Sequence, residues 1–396
     1  MPIIERRFVP VYGFLACLFL LFGTSMTVIG ATLPRILEDF GWSYGTAGAV
    51  IAANAVGYFG SMYAAGKFVG RIGPRAAALI GLSLVSGGLA LFAASPGPAL
   101  NLALYALIGT GQGFLEILVN WSVLRMDREG RAMSLMHAAF SIGAVAGPFV
   151  VGWLLAFDRP WALVYRGMAL LFGVLLAVSF ALPFDRLGRE TVSAKSGVHP
   201  SVRDRAYALG FAVLFLYVGA ELGISNWAAE LFVRSFGRPE ATGSFMVSLF
   251  WLGLLAGRLG IPLLLPRARQ ERVLVVLAAG LTATTFLLAA AAFAGPPAAL
   301  LGAVCVALAG LSCSSIYPIV MFLEGRAHPG TEGAAMGFAG AGGGLGAFLF
   351  PFLMSRIAGA AGIKVGFAFY ALVAAAASAS ALALVTIIKS GVPDRE

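Results

Sequence analysis

Twelve apolar runs of about 20 residues follow one another along this chain, each long enough to cross a bilayer core of roughly 30 Å. They lie near 11–32, 44–66, 74–94, 99–124, 132–156, 161–183, 206–229, 241–263, 271–294, 298–322, 333–357 and 364–387. Only 11% of the residues are charged, where a soluble domain carries about a quarter. The expectation is an all-α polytopic membrane protein with twelve transmembrane helices. The first run lacks a small-residue cleavage site and precedes eleven others, so it reads as a start-transfer helix rather than a removable signal. Cys17, Cys305 and Cys313 all fall inside apolar runs without metal-ligand spacing. They read as small packing residues, with no disulfide, metal centre or cofactor implied.

An internal repeat orders the runs. Between 129–148 and 332–351, at an offset of 203, Glu129, Gly130, Ala132, Met133, Ala138, Gly143, Ala144 and Pro148 meet their own residue types. Upstream, Ala106-Leu107-Ile108-Gly109 echoes Ala307-Leu308-Ala309-Gly310. Two matching halves in so apolar a chain are the signature of a duplicated transporter bundle. The longest polar interval falls at the midpoint. The expected organisation is an N-terminal six-helix bundle over 1–183, a linker over 184–205 and a C-terminal six-helix bundle over 206–396, the two bundles pseudo-symmetric. Run eleven is dense in glycine, from Gly337 to Gly346. Such density permits close helix packing and bending, and both a packing role and a moving gate stay open.

The net charge of +9 would suggest nucleic acid in a soluble protein; here the positive-inside rule explains it. With the N-terminus in the cytoplasm, 20 of the 27 Lys and Arg residues fall in inside loops and 7 outside. Both termini are therefore expected to be cytoplasmic, in a bacterial inner membrane. No apolar-free stretch is long enough for a soluble ATP-hydrolysing module, and no phosphate-cradling Gly-Lys-Ser/Thr loop occurs. With three histidines and no nucleophile–base or metal-ligand constellation, the chain does not read as an enzyme. Transport would run on gradients unless a separate subunit drives it, with a small molecule and H+ as partners (Na+ is the alternative ion) and the chain working as a monomer.

An ionisable side chain in hydrocarbon costs about 3 kcal/mol on insertion scales, so each one needs a reason. Glu116 lies deep in run four, and Asn120 stands on the same helical face four residues on. Such a pair can bind hydroxyls while the carboxylate takes and releases a proton; the alternative is a structural glutamate bonded to a neighbouring helix. Glu221 is the corresponding candidate in run seven. Asn226 and Trp227 lie a turn or more further out, as an outer solute-contacting wall or, for Trp227, an interfacial belt residue. Glu230 reads as solvated near the outer surface. At the local offset of 201, Glu116 corresponds to Tyr317, next to Pro318. Asn54, Tyr58 and Trp251 are weaker cavity candidates, and His137 reads as a packing residue before a proton relay. Arg258, toward the inner end of run eight, is a latch on a helix C-terminus or carboxylate, or else a binder of anionic substrate.

These residues resemble the fucose–proton symporter family and its sodium–glucose-transporter-like relatives within the major facilitator superfamily. The resemblance rests on Leu115-Glu116 followed by Asn120, on Tyr217-Val218-Gly219-Ala220-Glu221, on Phe250-Trp251 before Gly257-Arg258, and on Tyr317-Pro318. It implies that Glu116 binds sugar and takes part in proton coupling. The turn from Gly66 to Arg75, with Lys67 and Arg71, is similar to the superfamily's gating motif, but Gly70 stands where an aspartate is usual. Gly30 likewise stands where the family has an acidic residue before a Leu-Pro pair, here Leu33-Pro34. Coupling has then moved to Glu116 and Glu221, or the protein is uncoupled, or its substrate differs. Three functions follow: a proton-coupled symporter of a sugar or similar solute; a proton-driven exporter of amphipathic compounds or a monocarboxylate carrier using Arg258; and a receptor or assembly factor that has lost transport.

Overall fold

Hydrocarbon supplies no hydrogen-bond partners, so each apolar run must satisfy its own backbone, and a helix does this. The computed structural model describes residues 4–126, 131–187, 204–265, 268–329 and 331–391, and among these it contains helices and no strand. The helices are α1 (Val9–Phe40), α2 (Tyr44–Leu91), α3 (Pro98–Met126), α4 (Arg131–Ala156), α5 (Ala162–Ser179), α6 (Arg205–Phe236), α7 (Glu240–Leu264), α8 (Gln270–Ala294), α9 (Ala299–Cys313), α10 (Ile316–Ala327), α11 (Glu332–Ala361) and α12 (Ile363–Gly391).

These twelve helices do not match the twelve runs one to one. Runs two and three lie in the single element α2, which bends at Gly73. That residue has φ 83° and ψ 161°, a conformation costly for any residue with a Cβ, and Pro74 follows it. Run ten, in contrast, is broken into α9 and α10 at Ser314 and Ser315. Among the described residues, eleven helical segments are long and apolar enough to span a membrane. The Glu129-Gly130 turn and most of the 184–205 linker lie outside the described residues.

The chain divides into two compact units, Met1–Ser193 and Ala194–Glu396. Within the first, α2 packs on α3 and α5, and α1 packs on α4; within the second, α7 packs on α9, α8 on α12, and α6 on α11. The repeat in the sequence is a repeat of contacts. Gly143 of α4 lies directly on the Leu20 carbonyl of α1, and Gly346 of α11 lies directly on the Phe215 carbonyl of α6. Gly109 meets the Asn54 backbone in the first unit as Gly310 meets the Phe250 backbone in the second. Side-chain hydrogen bonds repeat too: the Ser86 hydroxyl donates to the Ala169 carbonyl at 2.8 Å, and the Thr282 hydroxyl to the Ala374 carbonyl at 2.9 Å. Lipid is as apolar as leucine, so close backbone approach and interhelical hydrogen bonds, rather than water exclusion, hold such pairs together.

A side chain at Gly346 would have to displace backbone, whereas Gly337 on the same helix faces open space. Gly346→Val should therefore cost about 1–3 kcal/mol. Gly337→Ala should gain about 0.5–1 kcal/mol from helix propensity. Thermal unfolding in detergent, followed by size exclusion, reads both signs.

Candidate functional site

In the first unit the polar residues form a ladder along one face of α3. Gln112, Glu116 and Asn120 recur every four residues, rising about 6 Å at each step. Gln112 sits at the meeting point of three helices: its Nε2 donates to the Ser25 hydroxyl of α1 at 2.9 Å, and its Oε1 accepts from Asn54 Nδ2 of α2 at 3.0 Å. Asn54 also donates to the Tyr105 carbonyl at 3.2 Å. Asn54 thus belongs to a closed amide network. Its keystone, Gln112, is the residue that reading the sequence for charges missed; its spacing of four before Glu116 was the available signal.

Glu116 is half-buried, and its Oε1 accepts from Asn120 Nδ2 at 2.9 Å. Among the described residues no ion pair reaches it. Among the described residues, the other Asn120 atom, Oδ1, is buried without a hydrogen-bond partner, as is Nε1 of the adjacent Trp121. Buried polar atoms are ordinarily paired, so these two atoms beside the Glu116 carboxylate stand out among the described residues. Below this, Arg125 stacks over the Trp121 ring with its Cζ 4.1 Å from the centroid and donates to the Leu187 carbonyl at 3.1 Å. Tyr58 and His137 join an aromatic cluster around Phe19, Phe22 and Phe140, where His137 packs edge-on to Phe19 at 5.5 Å.

The second unit has its own ladder, on α6: Tyr217, Glu221 and Ser225. It faces the break between α9 and α10, and Pro318 explains that break. Proline has no N–H, so the Ser314 carbonyl four residues earlier loses its helical donor. Arg258 of α7 supplies one instead, its Nε donating to the Ser314 carbonyl at 3.2 Å. The Tyr217 hydroxyl donates to the neighbouring Cys313 carbonyl at 2.9 Å. Glu221, buried on the same face, interacts electrostatically with Arg258. Ser225 accepts from Trp251 Nε1 at 2.8 Å, anchoring α7 to α6. Tyr317 is half-buried against Gly340 and Gly343 of α11.

Asn226 and Trp227 are both buried on α6, Trp227 completely, so Trp227 presents no face to an interfacial belt. Glu230 is not solvated: its side chain is 0% exposed and pairs with Arg234, four residues on, at 3.0 Å, while Arg234 reaches outward with 53% exposure. A long arginine stem lets the ion pair bridge from the packed interior to the surface. Of the gating turn, Lys67 and Arg71 have side chains outside the described residues. Arg75 donates to the Phe180 and Leu182 carbonyls beyond α5 at 3.1 and 3.0 Å and pairs with Asp185 at 3.5 Å. The turn is thus tied to the end of α5.

Comparison with known proteins agrees with this architecture. The family model of the Major Facilitator Superfamily matches residues 15–330. The chain is 23% identical to Bypass of stop codon protein 6 of Saccharomyces cerevisiae over 62% of its length, but the match spans only 55% of that relative. It is 22% identical to the glucose/mannose transporter GlcP of Bacillus subtilis, over 74% of each chain. Among solved structures, the nucleoside transporter NupG aligns with a TM-score of 0.72 and 16% identity, covering 97% of this chain and 100% of that one. A D-xylose–proton symporter aligns at 0.76 with 14% identity, covering 97% of both. The transporter FucP in its outward conformation aligns at 0.64 with 20% identity, covering 96% and 99%.

Arg258→Met removes the donor to the Ser314 carbonyl and the cation beside Glu221 in one step. Breaking a buried pair by deleting one partner should cost about 3 kcal/mol. Adding Glu221→Gln should recover part of that loss, because no uncompensated charge remains. Thermal unfolding of the two variants beside the wild type measures the difference.

Proposed function

The chain belongs to the Major Facilitator Superfamily, a multi-pass membrane transporter family, and on that premise we propose that it is a proton-coupled symporter of a sugar or a similar polyhydroxylated solute. Glu116 is the coupling residue: a carboxylate at membrane depth whose hydrogen-bond partner is an amide and which no ion pair reaches among the described residues. That single observation carries the reading. An ionised carboxylate without a cation is costly in hydrocarbon, and a proton neutralises it without blocking the site. Asn120, with its unmatched Oδ1, then offers an acceptor to a solute hydroxyl. The sugar class draws support from the glucose/mannose transporter and the D-xylose–proton symporter among the similar proteins.

In this mechanism Glu116 faces each side of the membrane in turn. It loads a proton and solute on the side of higher proton potential and releases both on the other. Two six-helix halves, 1–183 and 206–396, joined by a cytoplasmic linker with both termini in the cytoplasm, provide the moving parts; the Lys and Arg distribution supports that orientation. Arg258 and Glu221 act as a structural pair at the α9–α10 break, with Arg258 latching it. The engagement of Arg258 with the Ser314 carbonyl counts against its serving as an anion receptor for a monocarboxylate.

Sugar-dependent proton uptake into proteoliposomes, over a panel of hexoses and pentoses, tests the reading. The wild type should alkalinise the outside medium as sugar enters and accumulate sugar above equilibrium. Glu116→Gln should reach no more than equilibration yet keep sugar exchange. Accumulation by the variant equal to the wild type would remove Glu116 from coupling. Absence of any sugar signal in folded protein would favour the exporter reading.

A further inference from the structure

We propose that Glu324, His328 and Asp204 form a second proton site, a path for protons from the protein surface into α10 that is separate from Glu116. The three groups sit at the end of the second unit where α6 begins and α10 ends. Glu324 is completely buried, and among the described residues neither of its carboxylate oxygens has a hydrogen-bond partner. Its carboxyl group lies directly against the Cα of Gly210, where any side chain would take its place. The imidazole of His328 bridges it to Asp204: Nδ1 is 3.4 Å from Glu324 Oε2, and Nε2 is 3.4 Å from Asp204 Oδ2. Side-chain exposure rises along this series, from 0% at Glu324 to 6% at His328 and 45% at Asp204. A buried acid, a shielded imidazole and a wetted acid in that order make a connected route to water.

The contacts of the ring assign its protons. Nδ1 lies 3.0 Å from the Glu324 backbone carbonyl, which can only accept, so Nδ1 carries the hydrogen in the neutral ring. Nε2 is then the free nitrogen, and it faces Asp204. A proton arriving at Nε2 from water or from Asp204 makes the ring cationic. Breaking the Nδ1–H bond and forming an O–H bond on Glu324 then leaves a neutral ring with its proton on Nε2. One proton has entered, and each transfer breaks one bond and forms one. The reverse sequence carries a proton outward. Asp204 is held for this task by its other role: as the cap of α6 its Oδ1 accepts from the Ala206 N–H at 2.9 Å, leaving Oδ2 for the imidazole. Tyr207 closes the ring's other side, edge-on at 5.8 Å and itself stacked on Phe338 of α11 at 4.2 Å. Glu324 interacts electrostatically with both Asp204 and Tyr207.

Time-resolved infrared spectroscopy after a pH jump, on the full-length protein in lipid nanodiscs, reads this site directly and needs no substrate. The wild type should show a protonated-carboxyl band that Glu324→Gln removes and Glu116→Gln leaves in place. His328→Asn should slow the appearance of that band by about 100-fold, the scale of a positioned proton-transfer group. Asp204→Asn keeps a capping oxygen for α6 and should also slow it, so the test stands even where His328→Asn fails to fold. A Glu324 band that forms at the wild-type rate in Asp204→Asn or in folded His328→Asn, or a spectrum in which Glu324→Gln removes no band, overturns the proposal. Because Glu116 is read separately, failure here and failure of symport at Glu116 are distinguishable.

Discussion

Hydrocarbon has no hydrogen-bond partner to lend, and the structure depends on that more than on anything else. Where a helix runs unbroken, its backbone is satisfied internally. At Pro318 it is not, and the carbonyls of Cys313 and Ser314 take their donors from Tyr217 and Arg258 on two other helices. Those donors must be polar, so the break draws a tyrosine, an arginine and the Glu221 carboxylate that balances it into an otherwise apolar bundle. A local defect in one helix thus specifies the packing of α6, α7, α9 and α10 around it.

The second constraint is how near two backbones come. The duplicated segments retain the contact rather than the residue. Gly113 of the first unit lies against Ser61, while in the second unit Gly257 lies against Ser314, the glycine and the serine having changed sides. What both units keep is one small pair at one crossing. Away from these crossings the units have diverged. The first closes an uncharged amide network through Gln112, and among the described residues no cation pairs with Glu116; the second sets its glutamate in electrostatic contact with Arg258.

The membrane class, the helical fold and the duplication were legible in the sequence, because run length, charge scarcity and residue offset are properties of the chain itself. Glu116 and Glu221 stand out in the sequence as residues that need an account, since a carboxylate in hydrocarbon always demands a reason. Gln112 was not legible as a keystone, because amides carry no charge and attract notice only once three helices are seen to meet. Glu324 was missed as well: it lies near the end of an apolar run, where a carboxylate ordinarily reaches water. Glu230 reads as solvated for the same reason, yet both are fully buried.

The sequence by itself therefore determined what must lie in the membrane, that the chain is built twice, and that the carboxylates deep in its apolar runs need accounting for. Only the tertiary structure decided who accounts for them. Glu116 has an amide, Glu221 an arginine, Glu230 an arginine one turn away, and Glu324 an imidazole leading to the surface. Burial and partnership depend on which helix packs against which, and that is set by glycine-width contacts and freed carbonyls between segments far apart in the chain, so no local pattern of residues records it.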